Sequence, residues 1–278
     1  MAREKEKNQR DAPTEMSFLD HLEELRGRLV KAVAGVLVGI ILIVIFDDVV
    51  IEKIIMGPKH ADFISYRAWC WLSHTLGLGE KLCIVPADFT MISTTVGGNF
   101  SAYLLVCILG GILIAFPFIF YQLWSFVKPG LKPKEVKAVR GITLFVSILF
   151  FTGALFGYFV LAPLSLQFLV GFSFGDAVAQ PTVLSYLKLT TSLVLGTALI
   201  FQLPVLVLFL TRIGIVSSKF LKKYRKHAFV VNLVLAAIIT PPDVTSQILV
   251  SMPILFLYEF SIYLAKRVEK KKVEQGDN

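Results

Sequence analysis

Three side chains stand where a charged or polar group needs a reason. Glu24 lies in HLEELRGRLV (residues 21–30), four residues ahead of Arg28. Glu135 lies in KPGLKPKEVKAVR (residues 128–140), among Lys132, Lys134 and Lys137. Gln202 sits in TALIFQLPVL, inside a run without ionisable groups. Two carboxylates on one membrane face would accept two guanidiniums through charge-assisted, often bidentate hydrogen bonds. Each feature also has a plainer reading. Glu24 and Arg28 can be an i,i+4 pair worth a few tenths of a kcal/mol on an interfacial helix. Glu135 can be a solvated loop charge offset by its neighbours. Gln202 can make one interhelical hydrogen bond, since a polar side chain in hydrocarbon needs a partner. Glu259, in FLYEFS, is expected to snorkel or to pair.

Other chemistries have no residues to run on. There is no metal-spaced His/Cys cluster, no phosphate-cradling glycine loop, and no serine nucleophile with a base nearby in sequence. The four histidines (21, 60, 74 and 227) are scattered, so neither an enzyme nor a bound cofactor or metal is expected. Of three cysteines, Cys107 reads as packing. Cys70 and Cys83 share one connection, where an oxidising compartment would permit a disulfide. Two thiols in one loop do not fix the geometry, so bridged and free states both stay open.

The elements that position these groups follow from hydropathy. The chain has 278 residues, 55% of them hydrophobic, and a mean hydropathy of +0.72. Soluble proteins reach about 45–50% apolar with glycine included. Charge-free runs cover Ala32–Phe46, Phe89–Val127, Gly141–Gly175, Leu189–Thr211, Ala228–Pro242 and Val244–Tyr258. A spanning helix needs roughly 20 apolar residues, so an all-α polytopic membrane protein with six helices is expected. The first run follows a long charged leader and lacks a small-residue cleavage pattern, so it reads as a retained helix rather than a cleaved signal.

The expected helices are Arg26–Phe46, Phe89–Phe126 with a bend at Pro117, Val139–Gly171 with a kink at Pro163, Tyr186–Arg212, His227–Thr240 and Gln247–Ala265. The start of the second, TMISTTVGGNF, is polar enough to be partly wet. The whole reads as a single membrane domain, 1–278. It comprises a leader (1–16), an amphipathic lead-in (17–28), a long external connection (49–88) and a tail (266–278). On a wheel of about 100° per residue, Phe18, Leu22, Leu25 and Leu29 form one apolar stripe, with His21, Glu24 and Arg28 on the other side.

With the N-terminus inside, 23 of the 28 Lys and Arg residues fall on the inner side. That bias is the positive-inside pattern and sets both termini in the cytoplasm. It also accounts for the net charge of +8 through topology and anionic lipid, with no call for nucleic acid. The last two helices are short for a bilayer, which must thin there or lean on neighbours. The TPPD turn between them would then lie below the headgroups, tolerated only beside protein or a wet cavity. A concave, locally thinned face is the expected result.

Three motifs in this order are similar to those of one family. HLEELRGRL, FYQLWSFVKPGLKPKEVK (residues 120–137) and ITPPDVTSQILVSMPILFLYE (residues 239–259) resemble TatC, the multi-spanning receptor subunit of the twin-arginine protein translocase. The resemblance runs through about Ser17–Arg267. It implies a glove-like fold in the inner membrane, without cofactor, that binds paired-arginine signal peptides of folded cargo and works on the proton-motive force. Glu24 and Glu135 match the family's arginine contacts, and Arg26, Phe126 and Pro129 match their neighbours. Implied partners are small single-span subunits of the TatA/TatB type, which would meet helix five and the outer turn (Thr240, Pro241, Pro242, Asp243, with Gln247), and further copies of the chain in a receptor complex.

Two departures stand out. Gln202 occupies a place where TatC proteins commonly carry glutamate, so a role needing a proton there is in doubt. The first external connection is longer than the family leads one to expect. The rival classes fare worse. A small-solute transporter would show broken helices meeting at the midplane, related halves and titratable groups inside the bundle. An intramembrane hydrolase would need a nucleophile–base pair.

Overall fold

Helix α1 (Phe18–Ile45) and helix α3 (Gly98–Val127) run antiparallel and in close contact. Glycine makes that contact possible. A Cβ built on Gly39 would lie 2.5 Å from the Gly111 carbonyl oxygen, and one built on Gly111 would lie 2.9 Å from the Ile40 nitrogen. In a bilayer, lipid is as apolar as leucine, so small residues that let backbones approach supply much of the helix–helix attraction. The lead-in and the first span form one continuous helix, which starts at Phe18.

The computed structural model describes residues 18–77, 79–80, 83, 89–128, 141–172, 180–239 and 244–274. Among them the architecture is all-helical, with a lone bridge joining Ile92 to Thr182. Four stretches are long and apolar enough to cross a membrane: His21–Ile45, Gly98–Val127, Ile142–Gly171 and Val183–Ile213. The short pair follows as α9 (Arg225–Ile239) and α10 (Val244–Glu274). Helix α9 and the charge-free part of α10, Val244–Tyr258, have 15 residues each. At about 1.5 Å per residue they cover roughly 22 Å against a core of about 30 Å.

Several boundaries move from their expected places, each for a local reason. The second span begins at Gly98, because Phe89–Gly97 contains the polar Ser93–Thr95 stretch and runs as irregular chain alongside Pro181–Val183. Pro117 is accommodated inside the helix. The third span is α4 (Ile142–Phe156), a π-helical turn (Gly157–Leu161) and α5 (Ala162–Gly171), with Pro163 in the first turn of α5. Proline donates no backbone bond, so it fits where a helix restarts. The wide turn places Gly157, a residue without a side chain, against the Leu193 carbonyl of the fourth span.

That fourth span is likewise broken, into α6 (Val183–Ile200) and α7 (Leu203–Ile213), with Pro204 at the restart. The sixth helix extends well beyond Ala265 to Glu274. Its final turns, rich in Lys and Glu, favour helix, and Glu269 reaches α8 (Ser218–Lys223). There it accepts hydrogen bonds from the Ser218 N–H at 2.6 Å and from the Ser218 hydroxyl.

The core lies between α3, α4 and α6. Phe116 stacks on Phe150 with centroids 3.5 Å apart, and Tyr186 is fully buried beside Phe89. Residues 49–75 form a cap on the end of the bundle opposite Phe18. The cap is a π-helical turn (Val49–Ile55), a short 3-10 turn (Gly57–Lys59) and α2 (Ile64–Thr75). Three tyrosine hydroxyls hold its backbone. Tyr158 donates to the Ile54 carbonyl, Tyr186 to that of Ile55 at 2.7 Å and Tyr66 to that of Pro58 at 2.5 Å. Burial pushes the Tyr66 phenol up to about 12, so it stays a donor across the neutral range. Cys70 and Cys83 are joined by a disulfide, which resolves the open alternative in favour of the bridge.

Three outcomes follow. Gly111→Leu should separate α1 from α3 and cost about 1–3 kcal/mol or more, read as a lower melting temperature in detergent. Gly27→Ala, with nothing within 4 Å, should leave the melting temperature unchanged or raise it. In oxidised membranes a thiol reagent should label neither Cys70 nor Cys83 until a reductant is added.

Candidate functional site

The α1–α3 register carries chemistry to the Phe18 end of the bundle. Near its start, the ring of His21 stacks on Phe126 with centroids 4.3 Å apart and planes 17° from parallel. One turn further along, the Glu24 carboxylate meets the Arg28 guanidinium. Both Arg28 donors, Nε at 3.0 Å and Nη2 at 2.8 Å, converge on the same oxygen, Oε1. The second oxygen, Oε2, is occluded and has no hydrogen-bond partner. A carboxylate carries about four lone-pair sites, so half of this one is left without a donor. A buried acceptor in that condition costs roughly 1–3 kcal/mol, and more when charged.

Gln122 adds a second acceptor. It is 6% exposed, one turn from Phe126 on α3, and its Oε1 also lacks a partner. The glycine contacts and the His21–Phe126 stack place it opposite the Glu24–Arg28 turn of α1. The sequence reading passed over this residue. The signal was there, an amide on an apolar stretch of FYQLWSF, but nothing local marks it as buried.

Arg26 lies on the same turn of α1 and is exposed. Pro129 and Glu135 fall outside the described residues, as do Thr240, Pro241, Pro242 and Asp243 of the turn before α10. Gln247 is described. Its amide donates to the Leu233 carbonyl at 3.1 Å, tying α10 to α9. Asn232 does the reverse, donating to the Ser251 carbonyl at 3.0 Å. Glu259 pairs with Arg225 at 2.6 Å. Nearby, Lys222 is held below the usual lysine range, first by its hydrogen bond to Lys266 and then by the charge of that lysine.

Gln202 takes the interhelical reading. Its amide donates across to the Val146 carbonyl of α4 at 3.3 Å and lies 3.5 Å from the Ala198 carbonyl, while its Oε1 is unpartnered. It occupies the break between α6 and α7, where Pro204 leaves the helix short of a donor. A broken helix is a transporter trait, but here the group at the break does not titrate.

A metal has one conceivable foothold among the described residues. The ligand atoms of Cys70, His74 and Cys83 lie within 4.8 Å of one another. The two sulfurs are spent on their disulfide, and metal binding requires thiolates.

Comparison with known proteins agrees with the motifs and the helix order. Residues 20–253 match the family model described as TatC, Sec-independent protein translocase protein. The chain belongs to the TatC family. A Sec-independent protein translocase protein TatC from Blattabacterium sp. subsp. Periplaneta americana is 38% identical, over 93% of this chain and 98% of the relative. One from Desulforapulum autotrophicum is 36% identical, over 98% and 89%. Two crystal structures of the twin-arginine translocase receptor TatC are 30% identical to it. One superposes with a TM-score of 0.66 over 90% of this chain, the other, in the detergent DDM, with 0.69 over 88%; each is covered to 99%. The family is a membrane-bound protein translocase component and not an enzyme.

The family assignment sharpens the meaning of Gln202, whose amide is a donor that an ionised carboxylate would lack. Gln202→Leu should cost about 1 kcal/mol, typical of interhelical bonds in bilayers, read as a modest drop in melting temperature. Gln202→Glu should match the parent at low pH, where the protonated acid can still donate, and lose stability as pH rises.

Proposed function

We propose that the chain is the cargo-recognition subunit of a twin-arginine translocase, binding the paired-arginine signal peptide of folded proteins at Glu24. The observation that carries this is the free, occluded Oε2 beside an Arg28 that occupies only Oε1. An incoming guanidinium finds an acceptor already desolvated and held in place, so little ordering remains to oppose binding. The His21–Phe126 stack offers an aromatic surface next to it, on which a planar guanidinium can lie. Glu135 is the acceptor for the second arginine, with Pro129 and Arg26 shaping the approach.

The charge bias supports the orientation. Both termini lie in the cytoplasm of a cell with this inner membrane, the leader (1–16) and tail (266–278) inside, the lead-in (17–28) at the inner surface and 49–88 outside. The signal's apolar segment follows the bundle into the membrane, and the proton-motive force drives transport. Small single-span subunits of the TatA/TatB type dock along helix five and the outer turn at Thr240–Asp243, and further copies of the chain complete the receptor. Gln247 supports that turn through its bond to α9.

The test is binding of the purified full chain to a signal peptide carrying Arg-Arg against its Lys-Lys twin. Lysine keeps the charge but loses the planar fork. The expected preference for Arg-Arg is about tenfold to a hundredfold, from one charge-assisted bond of about 1.5–3 kcal/mol. It should vanish in Glu24→Ala and Glu135→Ala at unchanged melting temperature. Equal affinity for the two peptides would overturn the proposal.

A further inference from the structure

At the capped end of the bundle lies a cavity of about 800 Å³. Its wall is apolar and belongs to the spanning helices: Leu113 of α3, Phe151 and Leu155 of α4, Val194 of α6. Its rim is polar and belongs to the cap: the charged Glu52 and Lys53 on the π-helical turn, and His60 with the charged Asp62 ahead of α2. Among the described residues none of these four is in an ion pair, and all four are exposed.

We infer that this cavity is a binding site for one phospholipid with an amine-bearing zwitterionic headgroup, of the phosphatidylethanolamine class. An acyl chain lies on the apolar wall, where it replaces nothing more polar than other lipid. The phosphate meets Lys53 and His60, and the ammonium meets Glu52 and Asp62. The mixed rim is what selects the class. An anionic headgroup would satisfy Lys53 and a ring N–H of His60 and leave both carboxylates facing its own charge. A choline headgroup carries the positive charge but has no N–H to donate, so the carboxylates would gain attraction without hydrogen bonds.

A protein helix fits the space less well. A cylinder about 10 Å across fills 800 Å³ in about 10 Å of length, or about seven residues, a third of a span. The leaflet is the outer one if the orientation proposed above holds, but the lipid class does not depend on it.

The cap gives this site a fixed shape. Tyr158 lines the cavity and holds the Ile54 carbonyl, and Phe63 packs edge-on against the same ring at 5.4 Å. Lys53 and Asp62 are thus carried by backbone pinned on both sides of the opening.

Native mass spectrometry of the full chain, released from vesicles of equal phosphatidylethanolamine, phosphatidylglycerol and phosphatidylcholine, tests the assignment. One phosphatidylethanolamine adduct should dominate, by about fivefold over either competitor, as two exposed charge contacts would give. The double variant Glu52→Ser, Asp62→Ser, on exposed positions, should lose that selectivity while keeping a lipid adduct. Leu155→Trp, which fills the wall from an exposed position, should lose the adduct of every class. Equal adducts of the three lipids on the parent chain, or selectivity unchanged in the double variant, would overturn the assignment. So would displacement of the lipid by an Arg-Arg signal peptide added at saturation, which would make the cavity a peptide site. Loss of peptide binding in Glu24→Ala leaves this measurement untouched, so the two readings fail separately.

Discussion

The approach of Gly39 to Gly111 is the contact on which the Glu24 end of the bundle depends. Two helices with side chains at that crossing would stand farther apart, and the divergence would grow along α1 toward its start. His21 would leave the face of Phe126, and the Glu24–Arg28 turn would open to water. Both consequences weaken the same thing, the desolvation of a carboxylate oxygen. A hydrated Glu24 would have its donors from solvent, and a guanidinium would have to displace them. Close backbone packing in the middle of the membrane thus sets the electrostatics at its edge.

A second constraint is the absence of water from the hydrocarbon core. Two interruptions in these helices coincide with a replacement for the lost backbone bonds. Where α6 gives way to α7, the Val205 and Leu206 N–H groups donate to the Gln202 carbonyl at 3.0 Å, restarting the helix. Where α4 widens into a π turn, Thr197 reaches the Gly153 carbonyl at 2.9 Å. Helix α9 and the apolar part of α10 are tied together through Gln247 and Asn232 rather than by apolar area alone. Polar side chains here act as cross-links between helices.

Much of this was legible in the sequence, and the pattern of what was not has a physical basis. The Glu24–Arg28 pair could be read because an i,i+4 contact is local. Gln202 could be read because an amide in hydrocarbon must find a partner, although the break at Phe201 and Gln202 that goes with it was not expected. The number and order of the helices followed from hydropathy blocks, and their short final pair from counting residues. Boundaries moved where hydropathy is a poor guide to backbone. Phe89–Gly97 is free of charge yet forms irregular chain, and the Lys/Glu-rich end of α10 is polar yet helical. The burial of Gln122 depends on α1 lying across it, and two of the three tyrosine bonds join residues more than a hundred positions apart. Neither leaves a local trace.

Those tyrosines bear on how the chain is assembled. The carbonyls of Ile54 and Ile55 are made early, but their donors, Tyr158 and Tyr186, are more than a hundred residues downstream. Of the three tyrosine bonds on the cap, only that of Tyr66 can form before the third and fourth spans have been threaded into the membrane. The cap therefore sets late, even though it is among the first segments synthesised. A ribosome-bound chain halted after the second span would carry it open, which makes closure of the cap a marker that the fourth span has arrived.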